Sequence, residues 1–197
     1  MANEFFNINQ FRESLNSGSK ANLFRCEILG VPGDVDDPEG ILGSNGKFPF
    51  LCRSGAIPAY TLGIIEVPFR GRRIKVPGDR TFADWTVTVI NDESQGVRKV
   101  FDNWIAYINN PDGEEVIREN TDDYRCTIQI THLKADGSKS RVYQLYDAFP
   151  TDIGAVDLSY DSVDVIQEFT VTFQYHYMDA GGTADDGTDA SEPVAIG

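Results

Sequence analysis

The sequence is short of histidine, cysteine and positive charge, and each shortage narrows what the chain does. Two histidines, His132 and His176, occur in 197 residues, and both fall on the polar phase of strand-like segments, where they read as solvated or interface residues. Three cysteines with no close pair argue against a disulfide framework or a zinc ribbon. Lys and Arg total 17 against 31 Asp and Glu, a net charge of −14. That balance argues against tight nucleic-acid binding, which needs a basic footprint, and suits a surface past which a polyanion moves without sticking. No apolar run approaches the roughly 20 residues of a membrane helix, so no membrane anchor is expected. The opening "MANEFFNINQ" lacks a basic start followed by an apolar core, so no secretory signal is expected either. A nucleophile elbow of the Gly-x-Ser-x-Gly type is missing. The segment "GILGSNGKF" holds Ile41 and Phe48 where a phosphate loop needs Gly and Ser or Thr. An enzyme is poorly supported, and no cofactor or metal is expected.

What is present is enough apolar material for one folded domain, 41% hydrophobic and 11% aromatic. The pattern is mostly that of strands. Each cysteine takes the apolar phase of one: Cys26 with Phe24 and Ile28, Cys52 with Phe48 and Phe50, Cys126 with Tyr124, Ile128 and Ile130. These read as buried, reduced thiols of a protein made in the cytoplasm. Strands are expected at about 21–29, 48–54, 60–69, 72–77, 84–91, 124–134, 140–147, 154–160 and 166–177. The last alternates Phe169, Val171, Phe173, Tyr175 and Tyr177 with polar residues, a core face by default and a ligand-stacking face as the alternative.

Two helices are expected. Residues 7–16 place Ile8, Phe11 and Leu15 at helical spacing. Residues 92–109 carry Val97, Val100, Phe101, Trp104 and Ile108 as one apolar stripe, capped by Asn91 or Asp92, with Gln95 at the capping-box position of the latter. The Gly, Pro and acid-rich segment 30–47 reads as a long loop. Its "DVDDPEG" gathers four carboxylates but lacks the order of a calcium loop, and reads as solvated. Residues 179–197 carry five acids and no Lys or Arg, and are expected to form a mobile tail beyond a body of 1–178. The expected architecture is an antiparallel two-sheet β-sandwich or barrel with one flanking helix and a short N-terminal helix.

One segment breaks the acidic pattern. In "VPFRGRRIKVPGDR", Arg70, Arg72, Arg73 and Lys75 surround Gly71, with Asp79 and Arg80 nearby. Two extended arms meeting near Gly71 read as a hairpin, with Pro68 and Pro77 discouraging pairing deeper along both arms. A basic projection on an acidic body is self-complementary, and such contacts run head-to-tail into rings or filaments. These six residues are the candidates for contact between copies.

The order "VPGDRTFADWTVTVINDE", followed by a helix of the "VRKVFDNW" type, resembles the tail tube proteins of contractile, T-even-type bacteriophages. The agreement runs through "NLFRCEI", "FLCRSGAIPA" and "GAVDLSYDSVDVIQEFTVTFQY", about residues 21–177, and is most specific over 71–104. The resemblance implies a hexameric ring whose strands join into one barrel around a lumen. Rings stack into a tube inside a contractile sheath, with baseplate and tape-measure proteins as further partners. DNA passes down the lumen without specific binding, and the protein is found in the virion after synthesis in the host cytoplasm. It also implies that the hairpin around Gly71 reaches an adjacent subunit. Loop 30–47 and tail 179–197 depart from the family pattern and fit the tube exterior, a sheath contact or a ring junction. Tubes of tailocins and type VI systems share the architecture. A monomeric ligand-binding β-sandwich, for example for glycans, is the reading from a different class.

Overall fold

A computed structural model describes residues 7–15, 18–32, 35–37, 40–43, 45–109, 124–156 and 158–181. In chain order the elements are α1 (Ile8–Leu15), β1 (Phe24–Leu29), α2 (Phe48–Leu51), β2 (Cys52–Gly55), β3 (Tyr60–Phe69), β4 (Arg72–Phe82), β5 (Trp85–Ile90), α3 (Gly96–Ile108), β6 (Cys126–Leu133), β7 (Lys139–Ile153), β8 (Glu168–Gln174) and β9 (Tyr177–Asp179). The strand path is β1-β6-β7-β8-β5-β2, with β9 on β7, and β3 and β4 form a separate two-stranded ribbon. All of these pairings are antiparallel.

The long strand β7 makes one path into two layers. Its first half pairs with β6 and β9, its second half with β8. Between the halves sits a register shift, with Ile128 opposite Leu145 but Cys126 opposite Ala148. Asp147 takes a φ of +56° there, and a second shift follows at Pro150. Bulges of this kind bend a strand and increase its twist. The path curls until its two outer strands meet, so that a Cβ on Gly55 of β2 would lie 3.6 Å from Cys26 Sγ of β1. The result is the expected β-sandwich or barrel.

Alternation fills its interior. Trp85, Val87 and Val89 of β5 and Val171 and Phe173 of β8 are fully buried, while Thr86 and Thr172 face outward and come within hydrogen-bond distance of each other. Helix α3 closes one side with Val97, Val100, Phe101 and Trp104, the stripe expected from the spacing. Phe101 stacks on Trp104 and meets Phe48, Phe169 and Phe173 edge-on, giving an aromatic centre between helix and sheet.

Several local expectations are corrected. Residues 48–51 form one helical turn, not the start of a strand, so Phe48 is buried and Phe50 is 82% exposed rather than sharing a face. Pro49 near the start of that turn suits a helix better than a ladder. Strand β4 runs to Phe82, past Pro77, because a two-stranded ribbon leaves each strand an outer side on which a missing N–H costs nothing. The described residues of segment 154–160 do not form a strand. Gly154 donates to the Thr170 carbonyl at 2.7 Å, and the chain then leaves the sheet. The last strand breaks after Gln174, and Tyr177 belongs to β9, stacked on Tyr146 at 4.6 Å. Helix α1 forms over Ile8–Leu15, but its apolar stripe lies in solvent. Most of tail 179–197 lies outside the described residues.

Helix α3 starts at Gly96, later than expected, and no capping box forms: Gln95 sits at a φ of +53°. Asp92 still does the capping work from outside. Its carboxylate accepts from the Gly96 N–H at 2.8 Å and the Ser94 hydroxyl at 2.6 Å, and Lys47 lies 3.7 Å away. The Ser94 hydroxyl above all, then the Gly96 amide and the Lys47 ammonium, hold its pKa below the ordinary aspartate range. A lowered folded-state value contributes stability above the unfolded-state pKa, and loses it as pH falls through the folded value. Asp92→Ala is therefore expected to destabilise the fold by about 1 kcal/mol at neutral pH. The difference from wild type should vanish in urea titrations below the aspartate range.

The thiols follow their burial. Apolar surroundings push Cys126 well above the ordinary thiol value. Cys26, hydrogen-bonded with Cys52 and buried, is pushed up as well. Half-buried Cys52 should label first with a maleimide in the native protein, and Cys26 and Cys126 only after denaturation. Equal native labelling of all three would contradict this placement.

Candidate assembly surface

The hairpin that the basic residues imply is present and longer than expected. Arg70 and Gly71 both take positive φ, 45° and 79°, which matches the two-residue turn that fits strand twist. From there the ladder runs from Phe69–Arg72 to Tyr60–Phe82, interrupted once between Leu62–Arg80 and Ile64–Pro77. At that interruption a Cβ on Gly63 would meet the Asp79 carbonyl oxygen at 3.1 Å, so glycine permits the close backbone approach. At the base, Phe82 packs on Tyr175 at 5.8 Å.

Register sorts the outer half of the ribbon into two faces. Ile65–Val76, Val67–Ile74 and Phe69–Arg72 are cross-strand pairs on one, and Ile64–Pro77, Glu66–Lys75 and Pro68–Arg73 on the other. The first face is almost wholly apolar and lies in solvent, with Phe69 58% and Ile74 53% exposed. The second carries charge. Arg73 Nη1 donates to Glu66 Oε2 at 2.8 Å, and Lys75 stands opposite the same carboxylate. Arg70 lies 5.5 Å over the Phe69 ring at the tip, and Arg80 5.1 Å over Tyr60 near the base.

The candidate residues are thus on one element but not in one cluster. Arg70, Arg72, Arg73 and Lys75 occupy the tip half, whereas Asp79 sits at the interruption and Arg80 beyond it. Residues 60–82 hold five basic and two acidic side chains, a charge of +3, which leaves −14 − 3 = −17 for the rest of the chain. Sequence reading missed the apolar face. Its signal was the alternation of Ile65, Val67 and Phe69, which a single chain leads one to assign to its own core.

The other sequence candidates have local roles. Asp37 accepts from the amides of Ile41 at 2.7 Å and Leu42 at 3.1 Å, fastening the acidic loop, whose Ile41 and Leu42 are buried. Asp34 and Glu39 lie outside the described residues. His132 Nε2 is 3.2 Å from both the Ser19 hydroxyl and the Lys20 carbonyl, and His176 is exposed beside Tyr177. Among the described residues no helix is long and apolar enough to cross a membrane.

A barrel of this kind, with a helix on its flank, is the fold of subunits from contractile injection machines. The chain superposes on one from the sheath/tube terminator of the PVC extracellular contractile injection system with a TM-score of 0.57 at 16% identity, covering 83% of this chain and 96% of that one. A chain of the anti-feeding prophage baseplate gives a TM-score of 0.54 at 13% identity, covering 82% and 93%. Sequence goes further than fold. The phage tail tube protein family matches residues 19–179. Tail tube protein gp19 of Enterobacteria phage T4 is 33% identical over 162 residues, 82% of this chain and 91% of that protein. The tail tube protein of Serratia phage KSP90 is 30% identical over 118 residues, 60% and 66% of the two chains. The chain belongs to the phage tail tube protein family.

Proposed function

We propose that this chain is the structural subunit of the inner tube of a contractile phage tail, a component of the virion with no catalytic role. The observation that carries this is the 33% identity to the phage T4 tail tube protein, sustained across 82% of the chain. Subunits close into six-membered rings, and rings stack into a hollow tube inside the sheath, on a baseplate, with the tape-measure protein in the lumen during assembly. DNA leaves through the lumen without specific contacts, and the acidic body, −17 outside the ribbon, keeps phosphate from adsorbing. The basic ribbon supplies contact between copies through Arg70, Arg72, Arg73 and Lys75, with Asp79 and Arg80 nearer the body. Residues 1–178 form that body, and loop 30–47 and tail 179–197 lie on the tube exterior or at ring junctions.

Negative-stain microscopy of the purified protein, at two concentrations and two salt levels, tests the reading. Hollow rings or tubes that weaken as salt rises are expected, because exposed charges are screened within about 10 Å at 0.1 M salt. A stable monomer of 21.9 kDa under every condition, also in the presence of baseplate, would count against it. The fold shared with the PVC terminator favours, as a second reading, the tube of a phage-derived injection machine. Particles purified with or without packaged DNA separate the two.

A further inference from the structure

A second exposed apolar surface lies outside the ribbon, in the connection between β7 and β8. Leu158, Tyr160, Val163, Val165 and Ile166 are all well exposed, Tyr160 completely so. Several of them, with Val156 and Glu168, line an open cleft of about 640 Å³. An apolar stretch of this size in solvent marks a surface that another molecule covers.

Charge decides which molecule. After Arg141 the chain contains no Lys or Arg at all. Asp161 and Asp164 flank the exposed valines, and among the described residues neither enters an ion pair; the nearby Glu168 is matched by Arg53. The ribbon is the converse surface. It offers an apolar face of Ile65, Val67, Phe69, Ile74 and Val76 with Arg72 on that face and Arg70 at the tip, neither of which enters an ion pair among the described residues. Both surfaces are in solvent within one chain, so they do not satisfy each other there.

We infer that the ribbon of one copy docks on residues 158–166 of another, apolar face against apolar face, with Asp161 and Asp164 meeting Arg70 and Arg72. The contact is head-to-tail, because donor and acceptor are different surfaces of the same chain, and it therefore propagates. It rests on the reading of the chain as a tube subunit and names the acceptor that the basic ribbon requires.

Cysteine cross-linking in the assembled protein tests it. The double variant Ile74→Cys, Val165→Cys should give a ladder of covalent multimers under mild oxidation by oxidised glutathione. Two thiols lose two protons and two electrons to the glutathione disulfide, which leaves as two reduced glutathiones. Each single variant should give no ladder, and a mixture of the two should stop at dimers. A charge exchange adds a second arm. Asp161→Arg, Asp164→Arg should raise the critical concentration at least roughly tenfold, and adding Arg70→Asp, Arg72→Asp should recover most of that loss. Normal tubes with no ladder, and normal tubes from the Asp161→Arg, Asp164→Arg variant, would overturn the docking while leaving the tube reading intact. Failure of the wild-type chain to form rings or tubes would remove the tube reading and this contact with it.

Discussion

Reversing charge at Arg72 and Arg73 to glutamate is expected to abolish tube assembly while leaving the barrel folded. The two effects separate because the energies do. Within the chain, Arg73 pairs with Glu66 across an exposed ribbon, with side chains 75% and 39% accessible. Surface pairs of that kind contribute about 0–1 kcal/mol. Arg72 stands opposite Phe69 without an ion pair among the described residues. Between copies the balance is different. Two positive charges become negative on a ribbon that would carry −1 instead of +3 (each Arg→Glu changes the charge by −2) and that faces a body of −17. Like-charge juxtaposition at an interface costs several kcal/mol, and about 3 kcal/mol alone raises a dissociation constant on the order of a hundredfold. Every copy repeats the loss. Circular dichroism and thermal melting should match wild type, while microscopy finds neither rings nor tubes. Normal stacking by the double variant would show that the ribbon's charge is solubilising only.

Trp104→Ala should do the reverse: it strikes the fold, and assembly only through it. Trp104 is fully buried, stacks on Phe101 at 6.5 Å and meets Phe173 edge-on at 6.3 Å. Its indole N–H donates to the Tyr124 carbonyl at 3.0 Å, tying α3 to the approach of β6. Truncation removes the ring, leaves a cavity and strands that carbonyl. Buried Trp to Ala changes cost about 3–5 kcal/mol, a large fraction of the roughly 5–15 kcal/mol that holds a domain together. At about 2–4 °C per kcal/mol for a chain of this size, the melting temperature should fall by roughly 10 °C. Trp104→Phe keeps most of the packing and loses the hydrogen bond, so it should cost about 1–2 kcal/mol. Equal melting of wild type and Trp104→Ala would mean that α3 is not seated as described.

Legibility in the sequence followed what a single chain buries. Trp85, Val87 and Val89 could be placed because β5 has one wet face and one dry face, and the dry one belongs to this barrel. The stripe from Val97 to Trp104 could be placed for the same reason. Phe48 and Phe50 could not, because a four-residue turn is too short to show a period, and two aromatics two apart look like a strand. The bend in β7 was invisible because it rests on two single-residue register shifts, at Asp147 and at Pro150, which leave no periodic pattern.

The larger misreadings share one cause. Alternation in 154–160 resembled a buried strand, yet Leu158 and Tyr160 lie in solvent, and the same is true of Ile65, Val67 and Phe69 on the ribbon. An amphipathic pattern reports that a face is buried in the working state, not which chain covers it. The basic residues around Gly71 stood out in the sequence because charge shows against an acidic background. Their apolar companions were not, because apolar residues are what every core contains.

Cryo-electron microscopy of the assembled wild-type protein would decide whether this chain builds a tube. Six-membered rings around an open lumen are expected, with Phe69, Ile74 and Val76 of each ribbon buried against a neighbouring copy. A filament without a lumen, or a tube whose ribbons remain in solvent, would contradict this arrangement.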